Sequence, residues 1–375
     1  MQLETIRHIN QIIERDSKDT TYKFALLRGV IDSVHAYAHL AVHRDSVVEM
    51  PLGLLVYKWL EYYYPIIESD VYIPQKNGDI PGGKSLAFRS GMKTVTDFYK
   101  DKGGMSVFFS DFKKGNVDSA ICNHLLQLCK KIRDTITKNP MKHIGFSIYG
   151  GHYAIFQYQN KRFNKPDLFN LSFLIDSFGN YTFPKDYFTV FEHLGGFITG
   201  RNAILQGWSD FTFKCAKNTS LSEEEILNVI LKSPVDAREV SRVQRFFSQQ
   251  ITLECVWSGK NIKTDLNIDH VLPFAVWKNN DLWNLLPAKA QVNSHKRDKI
   301  PTRHFLQKRK DAIISYWELM ANAFADSFER EVIISLTGSS TGKENWQLPA
   351  FAALQEKSDY LIHTRGFEPW EYPIS

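Results

Sequence analysis

The sequence predicts an α+β fold, from its length, its composition and the change of hydrophobic period along the chain. The 375 residues are 43% hydrophobic and 23% charged, enough apolar surface for more than one packed core. Apolar residues at helical spacing dominate both ends, whereas short β-branched and aromatic runs occupy the middle. We therefore predict a mainly helical region, a β-rich region with a following helix, a segment of two strands and a helix, and a helical C-terminal region, at residues 1–142, 143–235, 236–310 and 311–375.

The helices of the first region are predicted from apolar residues three and four positions apart. The stretch TYKFALLRGVIDSVHAYAHLAV places Phe24, Leu27 and Ile31 on one face. The stretch PLGLLVYKWLEYYYP begins and ends with proline, which predicts a helix bounded by the two prolines. Residues 74–104 are rich in Gly and Pro and are predicted to be a loop, and another helix is expected over residues 118–137.

The middle of the chain changes from helical to strand-like composition. IGFSIY, HYAIFQYQ and FNLSFLID are short, aromatic and β-branched, and turn residues separate them, so each is predicted to be a strand. Two capping boxes, Ser222 with Glu225 and Asp236 with Glu239, predict the starts of two later helices. Beyond the strand, strand and helix segment, a long helical stretch begins at RHFLQKRK, and a Gly and Ser turn at 338–342 separates it from a last helix.

The N-terminus and the cysteines predict a cytoplasmic protein without a membrane segment. Glu4, Arg7 and Glu14 interrupt what would be the apolar core of a signal peptide, and no later run approaches eighteen apolar residues. The four cysteines form no C-x-x-C pair, which favours reduced thiols over a disulfide framework.

Positive charge is concentrated in one window of the chain. Residues 255–310 carry eleven Lys and Arg against four Asp, a net charge of +7, whereas the whole chain carries only +5. Such a window is expected where a polyanion binds, although a solvated basic surface would have the same composition.

The same window contains an ordered series of motifs. CVWSGKNIKTDLNIDHVLPF predicts a hairpin in which a strand near Cys255 turns at Gly259 into the strand LNIDHV, and DLWNLLPAKAQVNSHKRD predicts a loop passing into a helix. C-x-W-S-G, I-D-H-V-L-P-F, W-N-L-L and N-x-x-K-x-D-x-x-P follow one another within about 47 residues. This series resembles the HNH endonuclease superfamily and its ββα-metal motif. An isolated Asp-His pair would be interpreted structurally, with the Asp capping a turn and the His buried in the core. The surrounding motifs reverse that interpretation.

The resemblance and the helical spacing together give roles to five residues. By resemblance, His270 would be the general base and Asn284 would hold the loop against the strand of His270. Lys296 lies one helical turn beyond Asn293 on the same face, and this spacing predicts a contact with the phosphate. Asp269 and Asn293 would bind the metal, and their oxygen atoms favour Mg²⁺ or Mn²⁺ over zinc. A neutral imidazole with a pKa of about 6.5 suits a base that activates water.

Three neighbouring basic residues are candidates for contacts with a nucleic-acid backbone, namely Lys289, Arg297 and Lys299. Asp269 and His270 are adjacent on a strand, so they can serve one site only if the strand twists or ends there.

The chain departs from many HNH proteins in its zinc ligands. The positions of the two C-x-x-C pairs are held by Cys255 with Ser258 and by Lys289 with Val292, so no structural zinc is expected. The pattern is most similar to the zinc-less HNH domain of CRISPR type II effector nucleases. Hydrophobic packing by Val256, Trp257 and Leu285 is expected to replace the zinc.

A second motif, GDIPGGKS at residues 78–85, fits the P-loop pattern, with Lys84 and Ser85 as nucleotide-binding candidates. The preceding VYIPQKN is a poor strand because it contains Pro74, and a flexible loop is the favoured interpretation. A nucleotide-triphosphate switch and a nucleic-acid-binding subunit with a degenerate HNH fold remain alternatives.

Together these features predict a metal-dependent endonuclease acting on nucleic acid, with DNA as the expected substrate. By association with similar nucleases, a bacterial restriction or anti-phage defence role is expected. Because such an enzyme endangers its host, restraint by a regulatory protein partner or a homo-oligomer is expected as well.

Overall fold

A computed structural model divides the chain into two compact units, Met1–Val235 and Asp236–Ser375, which we call unit 1 and unit 2. Our finer division into four regions stays a prediction. None of the helices in the described part of the chain is both long and apolar enough to cross a membrane. The structure describes residues 2–150, 154–163, 166, 168–199, 204–216, 221–232, 237–277, 280–337 and 346–373.

The described part of unit 1 is built from helices. They are α1 Gln2–Arg15, α2 Tyr22–Tyr37, α3 Leu52–Glu68, α4 Arg89–Lys100, α5 Gly104–Lys114, α6 Ser119–Lys138, α7 Pro140–His143, α8 Phe146–Tyr149, α9 Leu171–Ser177, α10 Lys185–Thr199, α11 Ile204–Cys215 and α12 Glu223–Leu231. The N-terminus of α12 has the capping box that the sequence predicted, since Ser222 and Glu225 each accept a hydrogen bond from the other's backbone. The second predicted capping box includes Asp236, which lies outside the described residues.

Helix α3 is the centre of unit 1. Its side chains are buried almost all round, as expected of a helix with apolar residues on every face, and it contacts α2, α4, α6, α9 and α12. The helix begins after Pro51, as predicted, but it runs through Pro65 to Glu68. The proline therefore does not end the helix, and our predicted C-terminal boundary was wrong.

A small antiparallel sheet completes unit 1. Its strands are β1 Val42–His43, β2 Val47–Pro51, β3 Gln157–Gln159 and β4 Asn180–Pro184, in the order β1-β2-β4-β3. Every second residue of β2 and β4 is buried, so the sheet packs one face on the core.

The predicted β-rich region is mostly helical in the structure. IGFSIY contains α8 and most of FNLSFLID lies in α9, so two of the three predicted strands were wrong, whereas HYAIFQYQ contains β3. The predicted loop over residues 74–104 contains α4, which the sequence analysis missed. The α+β class is nevertheless correct, because helices and small sheets occur together.

Helices α3 and α9 approach each other at a glycine. A Cβ atom at Gly53 would lie 1.9 Å from the carbonyl oxygen of Leu174. Because the clash is with backbone, side-chain rearrangement cannot relieve it. We expect Gly53→Ala to lower the free energy of unfolding by at least ~2 kcal/mol, measured by urea denaturation.

Gly29→Ala is the matched control, because a Cβ there would meet side chains alone, the nearest atom being Leu55 Cδ2 at 3.3 Å. A helical Gly→Ala exchange also contributes roughly 0.5–1 kcal/mol of stability, so this variant should be nearly neutral. Equal stability of the two variants would contradict the proposed close packing of α3 on α9.

Unit 2 begins with a helix, and its helices and two strand pairs surround one core. The described elements are α13 Ala237–Ser248, β5 Leu266–His270, α14 Phe274–Trp277, β6 Leu285–Lys289, α15 Ala290–Lys296, β7 Ile300–Pro301, α16 Arg303–Lys308, α17 Lys310–Ala323, α18 Ala325–Val332, α19 Gln347–Asp359 and β8 Pro369–Trp370. The predicted long helix is thus broken into α16, α17 and α18. The predicted turn at 338–342 lies outside the described residues.

Aromatic side chains form the centre of unit 2. The buried rings of Trp257, Phe305 and Trp370 contact one another, with centroid separations of 5.2–5.8 Å. The same core includes Cys255 and Val292, two of the positions compared above with zinc ligands. Strand β7 pairs in parallel with β8, so the C-terminal segment is tied to the end of the motif region.

Candidate active site

Two antiparallel strands and a helix position the predicted site residues. Strand β5 pairs with β6, so that Asp269 lies opposite Leu286 and His270 opposite Leu285, and α15 follows β6 directly. We predicted that β5 pairs with a strand near Cys255, and that prediction was wrong, because its partner is β6. The segment around Gly259 forms a turn with one isolated bridge, closed by a backbone hydrogen bond from Cys255 to Lys260 at 2.9 Å. Val256 donates its backbone N–H to Pro287 on β6 at 2.9 Å.

Asp269 and Lys296 form a buried ion pair between β5 and α15. The Lys296 ammonium lies 3.1 Å from the Asp269 carboxylate, and the two side chains are 0% and 4% exposed. The indole N–H of Trp257 donates to the same carboxylate at 2.5 Å. Lys296 also donates to the backbone oxygen of His270. Burial lowers the pKa of the Lys296 ammonium, and the negative charge of Asp269 offsets part of that effect.

His270, the last residue of β5, faces the loop that follows the strand. Its ring is half-buried and lies beside Phe274, with ring centroids 5.7 Å apart. Its Nε2 lies 2.6 Å from Oδ1 of Asn280. Burial lowers the pKa of His270 from its ordinary value of 6.5, so the imidazole is neutral at pH 7. A neutral ring is the form that can accept a proton.

Asn284 fixes the residues that follow His270 in the same loop. Its side chain is fully buried, accepts a hydrogen bond from the backbone N–H of Leu272 at 2.8 Å and donates to the Leu272 carbonyl at 3.0 Å. The backbone carbonyl of Asn284 also accepts from Val271 at 2.8 Å. The two residues after His270 are therefore held against the start of β6.

Asn293 lies on α15 one turn before Lys296. It is half-buried, and its side-chain amide forms no hydrogen bond to the described residues. Among those residues, no group of three or more His, Cys, Asp or Glu could hold a metal ion. The Asp269 carboxylate accepts a hydrogen bond from the Trp257 indole and pairs with the Lys296 ammonium. Because a carboxylate has about four acceptor positions, its oxygens retain positions for a hard cation.

The predicted nucleic-acid contacts have different environments. Lys289 lies 3.5 Å from Asp265 and Lys299 lies 2.5 Å from Glu368, so both cations face nearby carboxylates. Arg297 is exposed and follows α15 with a positive φ of 54°. Lys296, by contrast, is buried rather than presented to a phosphate.

The P-loop candidate forms a turn. The backbone N–H of Gly83 donates to Ile80 at 3.1 Å and that of Ile80 donates to Lys84 at 3.2 Å. Lys84 is exposed and Ser85 is half-buried, no strand immediately precedes them among the described residues, and the next helix begins only at Arg89. The geometry does not provide the strand, loop and helix that a phosphate cradle needs.

Two side chains at the site were not predicted as functional. Trp257 was expected only to pack, yet a buried indole N–H needs an acceptor, and this requirement could have indicated its bond to Asp269. Asn280 carries no sequence signal, because nothing in the stretch KNNDLW distinguishes it from a loop asparagine.

Comparison with protein-family models covers both units. Residues 2–230, more than half of the chain, match the model described as Domain of unknown function (DUF8808). The chain belongs to the DUF8808 family. In this DUF8808 protein, residues 255–302 match the model described as HNH endonuclease. That match confirms the predicted resemblance of this segment to the HNH superfamily and suggests a nuclease.

The HNH match covers a small part of the DUF8808 protein, from Cys255 through α15 to residue 302. The closer similarity to zinc-less CRISPR nuclease domains stays a prediction. Searches of curated proteins and of solved structures found no match.

Proposed function

We propose that this DUF8808 protein is a divalent-cation-dependent endonuclease that hydrolyses phosphodiester bonds, with DNA as its substrate. The observation that carries the proposal is the position of His270. Its neutral imidazole ends β5, one residue after Asp269, whose carboxylate is buried, inside the segment that matches the HNH model. The basic window around this segment favours a polyanionic substrate.

His270 has the chemistry of a general base. In the proposed reaction the imidazole takes a proton from water, the water oxygen bonds to phosphorus, and one phosphodiester oxygen leaves and takes a proton from solvent. Asn284 keeps the loop after His270 in place through its two hydrogen bonds to Leu272. Lys296 balances the charge of Asp269 and ties α15 to β5.

Asp269 and Asn293 are the proposed ligands of Mg²⁺ or Mn²⁺. When bound, such a cation neutralises charge on the phosphate that is attacked. Lys289, Arg297 and Lys299 are proposed to contact the nucleic-acid backbone, and Arg297 is the exposed member of the three. We further propose a role in restriction or anti-phage defence, with a regulatory protein partner or a homo-oligomer restraining the nuclease.

The cation requirement gives the first test. Purified protein is incubated with plasmid, single-stranded DNA or RNA in Mg²⁺, in Mn²⁺ or in EDTA, and product is measured on gels. We expect EDTA to lower the cleavage rate by at least ~10²-fold, because charge neutralisation by the cation contributes several kcal/mol. Added Mg²⁺ should restore the rate.

Asn293→Ala refines the assignment of the ligands. Loss of one oxygen ligand should raise the Mg²⁺ concentration that gives half-maximal cleavage, while Asn261→Ala, an exposed asparagine of the same segment, should not. Cleavage at an unchanged rate in EDTA would refute the cation requirement, and failure to cut any of these substrates would refute the nuclease itself.

A further inference from the structure

The hydrogen bond between His270 and Asn280 decides which ring nitrogen can act as a base. Asn280 is 9% exposed, and its side-chain carbonyl Oδ1 lies 2.6 Å from His270 Nε2. A carbonyl oxygen carries no proton, so Nε2–H must be the donor. A neutral imidazole has a single N–H, and the lone pair is therefore on Nδ1.

The two ring nitrogens of His270 differ in their contacts. No hydrogen bond to His270 Nδ1 is formed by the residues that the structure describes. The Phe274 ring contacts the imidazole at an interplanar angle of 51°, so the apolar neighbour limits rotation without competing for a proton. Within the part of the chain that the structure describes, Asn280 is thus the polar side chain that selects between the two tautomers.

Asn280 can hold its position because the residues after it are anchored. The carboxylate of Asp281 accepts a hydrogen bond from Ser335 at 2.7 Å, and the backbone N–H of Leu282 donates to Glu331 at 2.6 Å. Both partners belong to the C-terminal helical part of unit 2. Residues that lie outside β5, β6 and α15 therefore hold the segment that carries Asn280 in place.

We propose that Asn280 is a positioning residue of the nuclease site: it accepts the Nε2–H of His270 and so directs the Nδ1 lone pair to the attacking water. This inference rests on the nuclease function proposed above and adds a residue that neither the sequence motif nor the family match singles out. It also gives the C-terminal helices a part in catalysis, since they hold the loop in place.

The kinetic test compares two substitutions. Asn280→Leu keeps the size of the side chain but removes the acceptor, and we expect kcat to fall about 10²-fold or more, because a triad histidine in the wrong tautomer loses about 10⁴-fold. KM and the thermal midpoint should stay near the wild-type values. Asn280→Asp retains an oxygen acceptor and should recover most of kcat. Asn261→Leu is the control, an exposed asparagine exchanged in the same way.

The tautomer itself is measured by ¹⁵N NMR on histidine-labelled protein, with the His270 signals assigned from a His270→Gln sample. We expect Nε2 to carry the proton in the wild type and a mixture of tautomers in Asn280→Leu. This measurement does not depend on nuclease activity.

The outcomes separate the two proposals. Two results would overturn the role of Asn280 and leave the nuclease standing. One is a proton on Nδ1 in the wild type. The other is wild-type kcat in Asn280→Leu when His270→Ala is inactive. A folded wild-type protein that cuts no substrate overturns the nuclease and with it the catalytic meaning of the hydrogen bond.

Discussion

Lys296→Met is expected to lower the free energy of unfolding of unit 2 by about 3–5 kcal/mol, because it leaves the Asp269 carboxylate buried without its partner. Asp269 is 3% exposed. In the variant, the hydrogen bond from the Trp257 indole is the described contact that still stabilises its negative charge. The loss should be local, so we would measure hydrogen exchange in peptides that cover β5 and α15.

Removing both charges at once shows whether the loss of stability comes from the unpaired carboxylate or from lost side-chain packing. The double variant Asp269→Asn with Lys296→Met should recover most of the stability, since replacing a buried pair by neutral groups is often nearly neutral. Lys289→Met is the matched control, because its pair with Asp265 is 28% and 39% exposed and is worth at most about 1 kcal/mol. A Lys296→Met variant as stable as the control would contradict this account of the pair.

The sequence predicted best those features that depend on neighbouring residues. The capping box at Ser222 and the helical spacing of α2 and α6 are local patterns, and the structure has these helices. The HNH segment was recognisable for a related reason, since its four motifs lie within one short stretch that the family model also covers.

The predicted strands failed where packing decided the local structure. FNLSFLID has a composition that favours a strand, but α9 forms there because it packs against α3 at the glycine opposite Leu174. The sequence also failed to show that β6 is the partner of β5, because β6 lacks the pattern of a strand with one exposed face. Residues 285–288 of β6 are all buried, so the strand has no alternation of polar and apolar side chains that a sequence reading could detect.

The contacts within the site were beyond a sequence reading. Spacing placed Lys296 one turn after Asn293 and suggested a phosphate contact, whereas the structure turns the ammonium inward to Asp269. Arg309 was counted among the basic residues of the nucleic-acid window, yet its guanidinium donates to the backbone carbonyl of Val256 at 2.5 Å. Charge counts therefore overstate the surface available to a nucleic acid.

His270→Ala is expected to lower the cleavage rate by about 10²–10⁴-fold, because the general base that activates water is lost. The active form of the base is the neutral imidazole. Since burial lowers the pKa of His270 below 6.5, that form is already dominant at pH 7, and kcat/KM of the wild type should fall only as the pH drops below 6.5. The measurement is a pH profile of plasmid cleavage in Mg²⁺.

His304→Ala is the control, because His304 is an exposed histidine on α16. It should keep the wild-type rate and the fall of the rate at low pH, which is the acid limb of the profile. The residual activity of His270→Ala should lack that limb. Wild-type activity in His270→Ala, or an acid limb above pH 6.5, would mean that another group takes the proton. The neutral imidazole at the end of β5 would then be a core histidine held by Asn280, and the reason for placing the chemistry at this strand end would be lost.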